Sequence, residues 1–275
     1  MSPAPQSSTS SLPVHYARVV LAYILLKLKL FIIWVLKAGP MPQHVAFVMD
    51  GNRRYSRRKG VEVREGHSQG FVALRRVLEI CFKLDIKCVT VYGFAIENFK
   101  RSEDEIANLM QIAKDGLNSF CEQDDLLQAN GVRLNVIGHK SLLPVDVQEA
   151  IDRAESLTKH NSRSILNICF PYASRHEMTC AIGQSVQDAV DNASPNITEQ
   201  DVDERLFTSQ GLSPPLDVLI RSSGVKRFSD FLLWQCSENT QVHFTPTYWP
   251  EYGLRDFGPV ILDFQRRMWS KRVHS

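Results

Sequence analysis

The sequence predicts a single α/β domain with a mostly parallel central sheet of about six strands, covered by helices on both faces and preceded by an apolar N-terminal helix. Short apolar runs alternate with longer segments in which apolar residues recur every three or four positions, as strands and helices do in parallel sheets. A Gly-Pro-Met-Pro stretch at 39–42 separates the apolar N-terminal segment from this alternation. The main domain is therefore expected over residues 39–275.

The N-terminal segment has a polar part and an apolar part. Residues 1–13 are rich in Ser and Pro and are expected to be disordered, whereas residues 14–38 are expected to form a membrane-associated helix. Lys27 and Lys29 interrupt the apolar run, so the helix either lies shallowly in the membrane or crosses it with its lysines reaching towards the surface. The alternative is a helix packed on the main domain or on a partner. A cleaved signal peptide fits less well, because the run is long and lacks a small-residue cleavage site.

The remaining elements follow from apolar periodicity and from local signals. Strands are predicted at 45–49, 88–94, 132–137, 164–170, 216–220 and 242–244. A helix containing Phe71 follows the first strand, and a capping box formed by Ser102 and Glu105 is expected to open the next helix. Pro144 suits the first position of a further helix, and another is expected from about Arg175.

The first predicted strand ends at a carboxylate that is followed by a cluster of arginines. Asp50, Gly51 and Asn52 favour a turn with close backbone approach, and Arg53 and Arg54 come next. Ligands of open α/β sheets bind beyond the carboxyl ends of the strands, and guanidinium groups match phosphate oxygens. A carboxylate there can hold a Mg²⁺ that bridges to the same phosphates. The stretch therefore predicts a diphosphate site with Asp50 as the metal ligand; the alternatives are a solvated basic face or a nucleic-acid patch.

Two later strand ends add polar groups to the same edge of the predicted sheet. Glu97, Asn98 and Arg101 follow the second strand, where they join the crevice or form a solvated helix start. The fifth strand leads into a Gly-containing loop that suits a second anion site. The polar residues of that loop are Arg221, Arg227 and Ser229. Two anion sites around one acid indicate a reaction between two phosphorylated substrates. His67 is a candidate phosphate donor or proton shuttle, although a lone histidine is more often structural.

Composition sets broader limits. The formal charge of +2 excludes neither phosphate nor membrane partners, because local clustering matters more than the total. The six cysteines are scattered and contain no CxxC pair, so a structural zinc site and a disulfide framework are both disfavoured. Reduced thiols on the cytosolic side of a membrane are the simpler interpretation.

Five segments in register resemble the cis-prenyltransferases, which include the undecaprenyl diphosphate synthases and the eukaryotic dehydrodolichyl diphosphate synthases. These segments are HVAFVMDGNRRY, GHSQG, VYGFAIENFKR, DVLIRSSGVKRFSDFLLWQ and YWPEYGLRDF. The resemblance covers about residues 39–267 and is far more specific than any single motif. It implies successive cis condensations of an allylic diphosphate, such as farnesyl diphosphate, with isopentenyl diphosphate. The product would be a long polyprenyl diphosphate used for dolichol synthesis and protein glycosylation.

The resemblance also implies roles for individual residues. Asp50 would handle Mg²⁺ and diphosphate, and Asn98 would lie near the reacting centre. The residues expected to surround the allylic diphosphate are Gly51, Asn52, Arg53, Arg54, Arg64 and His67, with Glu97 and Arg101 as further candidates for substrate binding. Arg221, Arg227 and Ser229 would bind isopentenyl diphosphate. Apolar side chains between the sheet and its helices would line a tunnel for the growing chain, and the small side chain of Ser164 would help to leave it open.

The sequence departs from the family pattern at four places. Val63 stands where the family usually has Arg, with Arg64 one position later; Ala95 replaces a Ser, and Val225 replaces a Glu. The C-terminal segment FQRRMWSKRVHS lacks the Arg-x-Gly motif that reaches the site across the dimer. Eukaryotic members of this kind obtain that motif from a partner that resembles the Nogo-B receptor. A heteromer with such a partner is therefore expected, with partial or no activity of the chain alone.

Two other functions compete with the elongating transferase. A catalytically inert, membrane-tethered partner subunit of the same fold would have no need of the diphosphate-binding residues. A phosphatase or phosphotransferase would use Asp50 as a nucleophile. Nucleic-acid binding is disfavoured, because no aromatic stacking module accompanies the arginines. Dolichol-type synthesis implies the cytosolic face of the endoplasmic reticulum membrane, where the sequons at Asn192 and Asn196 would stay unmodified.

Overall fold

One parallel sheet forms the centre of the fold. The computed structural model describes residues 12–121, 126–192 and 196–274. The strands are β1 (His44–Val48), β2 (Cys88–Tyr92), β3 (Val132–Ile137), β4 (Ser164–Cys169), β5 (Val218–Arg221) and β6 (Gln241–Phe244). Neighbouring strands are parallel throughout, in the order β3-β4-β2-β1-β5-β6. The predicted α/β class and the six strands are confirmed, with strand ends that differ from the predicted ones by at most two residues.

Helices connect the strands and cover the sheet. They are α1 (Leu12–Lys37), α2 (Asn52–Lys59), α3 (Val63–Lys83), α4 (Glu103–Phe120), α5 (Leu126–Ala129), α6 (Val145–Thr158), α7 (Ser174–Asp191), α8 (Glu199–Glu204), α9 (Phe207–Gln210) and α10 (Leu254–His274). Short 3₁₀ turns occur at Ile96–Lys100, Lys140–Leu142 and Trp249–Glu251. The expected disorder of residues 1–13 lies mostly outside the described residues, and Leu12 and Pro13 begin α1.

The alternation of side chains along β1 produces two apolar layers. Val45 and Phe47 face one layer together with residues of α3, α4, α6 and α10. Ala46 and Val48 face the opposite layer, which includes Tyr172 before α7 and the segment after β5. All five residues of β1 are buried, as expected for a strand covered on both faces. The continuous apolar run in the sequence is explained by this double coverage.

The strand order places a crevice beyond the carboxyl end of β1. β1 pairs with β2 on one side and with β5 on the other, so the loops that leave these strands diverge. Ligand sites of open parallel sheets lie at such points. Asp50, two residues beyond β1, is located there.

Two predicted helix starts differ in detail from the structure. Ser102 is the N-cap of α4 but its side chain makes no capping hydrogen bond, so the predicted capping box with Glu105 is wrong. Glu105 instead contacts the guanidinium groups of Arg53 and Arg101, which are stronger partners for a carboxylate than a backbone N–H. Pro144 is the N-cap of α6 and not its first residue.

The N-terminal helix is long and apolar. By length and composition, Tyr16–Lys37 could cross a membrane, with a mean hydropathy of 2.4. Helices that pass this test also occur as signal sequences and as core helices of soluble proteins, so the test alone is weak support for membrane association.

Candidate active site

Asp50 is held in a fixed backbone position at the end of β1. Its N–H donates to Ser222 Oγ at 2.9 Å, and its carbonyl accepts from Ser222 Oγ at 2.7 Å and from the Trp249 N–H at 3.1 Å. Gly51 follows with φ of 105°, a left-handed conformation in which an added Cβ would lie 2.9 Å from Ser223 Cβ and from Tyr248 Cδ1. Glycine is therefore required here, and the rigid turn directs the carboxylate of Asp50 to the crevice.

Two arginines neutralise this carboxylate. Arg221 Nη2 donates to Asp50 Oδ2 at 2.9 Å, and Arg54 Nη2 lies 3.4 Å from the same oxygen. Partial burial acts to raise the pKa of Asp50. Hydrogen bonds and charge from Arg221, together with Ser223 and Arg54, outweigh it and hold that pKa below the ordinary value. The acid is thus ionised across the neutral pH range.

Arg221, Arg227 and Ser229 form one cationic group at the crevice. Arg221 Nη1 donates to Ser229 Oγ at 2.7 Å and to the Arg227 carbonyl at 2.5 Å. Arg227 Nε donates to the same Ser229 hydroxyl at 3.1 Å. The Arg221 side chain is 4% exposed, and its Nε is buried without a hydrogen-bond partner among the described residues. A buried N–H of this kind is costly unless a ligand completes it.

The loop that carries this group adopts a strained conformation. Ser223, Ser229 and Asp230 have φ values of 80°, 53° and 59°. Such values are uncommon for residues other than glycine, and they tend to cluster at ligand sites. Contacts fix the loop in this form: Arg54 donates to the Ser223 carbonyl at 3.1 Å, and Arg175 Nε donates to Asp230 Oδ2 at 2.9 Å.

A second cationic group surrounds Glu105 on α4. Arg101 Nη1 donates to Glu105 Oε1 at 2.7 Å, and Arg101 Nη2 donates to Asn98 Oδ1 at 2.9 Å. His67 Nε2 lies 3.5 Å from Glu105 Oε1, and Arg53 Nη1 lies 3.8 Å from Glu105 Oε2. The Glu105 side chain is only 15% exposed, so one carboxylate orients three groups that reach the crevice.

His67 is neutral near pH 7. Burial is the largest effect and lowers its pKa, and the neighbouring charges of Arg101 and Arg53 act in the same direction. Glu105 opposes them, but the net shift of the pKa is downwards. His67 Nε2 is buried and forms no hydrogen bond among the described residues. A neutral imidazole with an open nitrogen can accept or donate one hydrogen bond to a ligand.

Most of the predicted site residues line one cleft, with a volume of about 530 Å³. Those in the lining are Asp50, Asn52, Arg53, His67, Glu97, Asn98, Arg101, Arg221, Arg227 and Ser229. Gly51 and Arg54 support this cleft through the contacts given above but are not part of its lining. Arg64 lies on the exposed face of α3 and is not brought to the cleft. Val63, which stands where the family usually has Arg, is also exposed and does not line the cleft.

An apolar cavity of about 130 Å³ opens from the cleft. Met49, Asn52, His67, Tyr92, Gly93 and Leu109 line both spaces. The deeper walls come from both helices and strands: Phe71, Leu74, Ala113, Gly116, Leu117, Phe120, Val136, Ile151, Ile168 and Phe170. Ser164 is buried at the far end of β4 and is not in the cavity lining. The arrangement suits a ligand with a charged head in the cleft and an apolar tail in the cavity.

Two acidic residues of the site escaped sequence analysis. The capping-box pattern predicts a helix cap at Glu105, whereas its spacing of four residues from Arg101, which lies just before α4, also suits an ion pair. Asp230 lines the cleft and accepts from the Arg175 backbone N–H at 2.9 Å and from its guanidinium. No local pattern distinguished Asp230, because its partner lies 55 residues away.

The donor set around Asp50 fits a weakly coordinated Mg²⁺. No group of three or more His, Cys, Asp or Glu side chains suited to a metal occurs in the described part of the chain. Mg²⁺ usually keeps several waters and is held by one or two carboxylates together with substrate phosphates. Asp50 is 30% exposed and ionised, and the flanking arginines suit the same phosphates. A single acid beside phosphate-binding groups is therefore adequate for this ion.

The fold and the cleft suit the class of α/β proteins that bind diphosphates bearing apolar tails. The chain belongs to the undecaprenyl diphosphate synthase family, the cis-prenyltransferases. The sequence model of that family, described as "Putative undecaprenyl diphosphate synthase", matches residues 48–272.

Relatives and solved structures agree with this membership. A dehydrodolichyl diphosphate synthase complex subunit of Schizosaccharomyces pombe is 45% identical over 248 residues, which are 89% of this chain and 93% of the relative. The human dehydrodolichyl diphosphate synthase complex subunit is 46% identical over 84% of this chain and 69% of its own length. Lavandulyl diphosphate synthase from Lavandula x intermedia, solved with dimethylallyl diphosphate, has a TM-score of 0.76. It is 31% identical, with coverage of 82% of this chain and 95% of that structure.

Proposed function

We propose that this chain is the catalytic subunit of a cis-prenyltransferase. It elongates an allylic prenyl diphosphate, such as farnesyl diphosphate, by successive cis condensations with isopentenyl diphosphate, giving long-chain dehydrodolichyl diphosphate for dolichol synthesis. The observation that carries the proposal is the position of Asp50. This acid lies between two cationic groups at the opening of an apolar cavity.

The two cationic groups suit the two diphosphates of this reaction. Arg53, His67 and Arg101 are suited to the allylic diphosphate, whose tail enters the cavity that His67 also lines. Arg221, Arg227 and Ser229 are suited to isopentenyl diphosphate. Breaking the allylic C–O bond leaves negative charge on the departing diphosphate, which cations and donors stabilise. Holding the second substrate in line then favours formation of the new C–C bond.

Asp50 would hold Mg²⁺ together with substrate phosphates. When bound, that ion neutralises charge on the diphosphate and acts as a Lewis acid. Asn98 is oriented by Arg101 and lines the cleft, which supports its assignment near the reacting centre. Ala95 also lines the cleft and lacks the hydroxyl of the usual serine, so Glu97 and Asn98 supply the polar side chains of this segment in the cleft.

A second subunit completes the enzyme in this proposal. The relatives from fission yeast and human carry the name complex subunit. The proposed partner resembles the Nogo-B receptor and supplies the C-terminal Arg-x-Gly motif. An exposed apolar stripe on α7 is a candidate contact surface for the partner, because its members lie on one face of the helix. Its members are Ile182, Val186 and Val190, spaced four residues apart and each about half exposed or more.

The proposed location is the cytosolic face of the endoplasmic reticulum membrane, with association through residues 14–37. The dolichol-type names of the relatives and the apolar helix α1 support it. Glycosylation of the sequons at Asn192 and Asn196 would contradict this placement, because glycan transfer takes place in the lumen. Mass spectrometry of chain purified from eukaryotic cells measures this directly.

The decisive experiment is incubation with farnesyl diphosphate, labelled isopentenyl diphosphate and Mg²⁺, with and without the partner subunit. Labelled polyprenyl diphosphates are expected with the partner and little or none without it. Asp50→Asn is expected to lower the rate at least a hundredfold, because the metal loses its carboxylate ligand. Unchanged activity of this variant in the complex would instead support an inert subunit. Full activity of the chain alone would contradict the partner requirement.

A further inference from the structure

Asp230 places a carboxylate beside the cationic group of Arg221, Arg227 and Ser229. It directly follows Ser229, whose hydroxyl accepts from both arginines, and it lines the same cleft. The Asp230 side chain is only 15% exposed, so water screens its charge weakly. An unpaired carboxylate at this position would repel a diphosphate in the cleft. Anion binding here therefore requires that the charge of Asp230 is compensated.

Arg175, the second residue of α7, provides this compensation with two of its groups. The Arg175 backbone N–H donates to Asp230 Oδ1, and Arg175 Nε donates to Asp230 Oδ2, each at 2.9 Å. Both oxygens of the carboxylate therefore have a donor from the same residue. The N-terminus of the 18-residue helix α7 adds a partial positive charge of its own.

The first turn of α7 also fixes the backbone of the loop that contains Asp230. The Ser174 N–H donates to the Asp230 carbonyl at 2.8 Å, and Ser174 Oγ accepts from the Leu233 N–H at 2.9 Å. Ala173 is the N-cap of α7 and makes no capping hydrogen bond through its side chain. Asp230 thus supplies, from a distant part of the chain, acceptors that the start of this helix needs.

The conformation of the loop depends on such contacts. Ser229, Asp230 and Leu232 have φ values of 53°, 59° and 45°. Residues other than glycine persist in this left-handed region only where their surroundings fix them. On the side of the sheet, the Tyr92 hydroxyl donates to the Ser229 carbonyl at 3.2 Å. The loop is therefore held at Ser229 by β2 and at Asp230 by α7.

We infer that Arg175 is a positioning residue for the second diphosphate substrate. By pairing with Asp230, it keeps the Ser229 hydroxyl in place and cancels a negative charge inside the cleft. The inference rests on the proposed function, in which the group of Arg221, Arg227 and Ser229 binds isopentenyl diphosphate. It makes Arg175 a determinant of affinity for this substrate and not for the allylic diphosphate.

Two other roles compete with this assignment. Arg175 also lines the cleft and is 73% exposed, so its guanidinium would be accessible to a phosphate as a direct ligand. The pair with Asp230 would alternatively serve stability alone, although exposed ion pairs contribute little to it. The geometry favours positioning, because the N–H and the Nε of Arg175 are both committed to one carboxylate.

The test is a double-mutant cycle in the complex with the partner subunit. Arg175→Met is expected to raise KM for isopentenyl diphosphate about tenfold and to leave KM for farnesyl diphosphate within about twofold of wild type. Asp230→Asn alone is expected to stay within about threefold, because its amide oxygen still accepts from the backbone N–H at position 175. The double variant is expected to return to within about threefold of wild type, since the uncompensated charge is gone.

The double variant distinguishes the three roles. If its KM for isopentenyl diphosphate stays as high as that of Arg175→Met, Arg175 is a direct phosphate ligand and the inference is overturned. An equal rise in KM for both substrates would overturn it as well. A purely stabilising pair would lower the melting temperature of Arg175→Met, which is expected to lie within about 2 °C of wild type. Arg153→Met, at an exposed position of α6 outside the cleft lining, is the matched control and should behave like wild type.

Calorimetric titration with isopentenyl diphosphate alone gives a readout that needs no turnover, because condensation requires the allylic substrate. Binding about tenfold weaker in Arg175→Met and restored in the double variant is expected. Equal affinity of wild type and Arg175→Met would overturn the inference. A wild-type complex that binds isopentenyl diphosphate with this order of affinities but forms no polyprenyl product would contradict the proposed function and leave the role of Arg175 supported.

Discussion

Individual charged residues in the cleft are arranged for ligands more than for stability. Arg221 is almost fully buried, yet one of its N–H groups has no partner in the described part of the chain. Asp50 accepts a hydrogen bond from Arg221, and both residues line the cleft. A ligand in the cleft can therefore reach this largely buried ion pair from one side. Buried ion pairs contribute little net stability once desolvation is counted. Their placement here fits the requirement for fixed charges around a diphosphate.

Glu105 gives a prediction at this scale. Glu105→Ala is expected to lower kcat/KM for the allylic diphosphate about tenfold, equivalent to about 1.4 kcal/mol, because Arg101 loses a charge-assisted hydrogen bond. Glu105→Gln is expected to lose less, since its amide oxygen can still accept from Arg101. Steady-state kinetics of the complex measure both.

Glu103→Gln is the matched control for this prediction, because Glu103 is an exposed acid on the first turn of the same helix. It is expected to behave like wild type. An equal loss in the Glu103 and Glu105 variants would indicate a general charge effect and not the positioning of Arg53, His67 and Arg101.

At the scale of elements, His44 connects β1 to its neighbours. Its Nε2 is 2.7 Å from Thr90 Oγ1 on β2, and its Nδ1 is 2.8 Å from the Pro214 carbonyl before β5. Burial lowers the pKa of His44 from 6.5 to about 4, despite the opposing contact with Pro214. Between pH 6.5 and about pH 4, His44 is therefore protonated in the unfolded chain and neutral in the folded chain.

Stability should consequently fall as the pH decreases from about 6.5 to about 4, by on the order of 3 kcal/mol from this residue. His44→Gln removes the titrating group and should flatten this part of the pH dependence. Urea unfolding of both proteins at pH 7 and pH 4.5 measures the difference, and the other histidines are common to both. An equal loss of stability in the two proteins would refute the assignment to His44.

The contact between α3 and α4 gives a further prediction at this scale. An added Cβ at Gly116 would lie 2.6 Å from Phe71 Cε2, and both residues line the apolar cavity. Gly116→Ala is expected to push the Phe71 ring into the cavity and to shorten the polyprenyl products. Gly183→Ala on α7, where nothing lies within 4 Å, should leave product length unchanged. Chromatographic sizing of the labelled products measures their chain length. Products of wild-type length from both variants would contradict the prediction.

At the scale of the whole molecule, two exposed apolar faces lie on different helices. The exposed apolar residues of α1 accompany the proposed membrane association, and we propose that the stripe on α7 contacts the partner subunit. Val186→Glu on α7 is expected to reduce co-purification of the partner at least tenfold, because a charge enters an apolar interface. Leu157→Glu on α6, at a site of similar exposure, is the control. Equal recovery of the partner with both variants would place the interface elsewhere.

The order of the elements was predictable from local signals. Short apolar runs indicated each strand because both faces of a parallel sheet are buried, and helical periodicity indicated the long helices. Asp50, Arg221 and the loop to Ser229 were predictable as one edge of the sheet, since parallel strands end together. The observed β2 ends two residues before the predicted end, and β5 begins two residues after the predicted start. A strand extends only as far as its backbone pairs with a neighbouring strand, whereas the apolar run in the sequence can continue beyond that point.

By itself, the sequence determined the α/β class, the family resemblance and the residue types of the cleft, because periodicity and motif spacing are local properties of the chain. Only the tertiary structure decided which of those residues meet. It joined Asp50 to Arg221, 171 residues apart, placed Glu105 beside two arginines and a neutral histidine, and left Arg64 on an exposed face. It also bound the end of α1 to α3 and α10. Apart from the pair formed by Arg101 and Glu105, these contacts depend on strand order and helix packing, which arise from burial across the whole chain and leave no local signal.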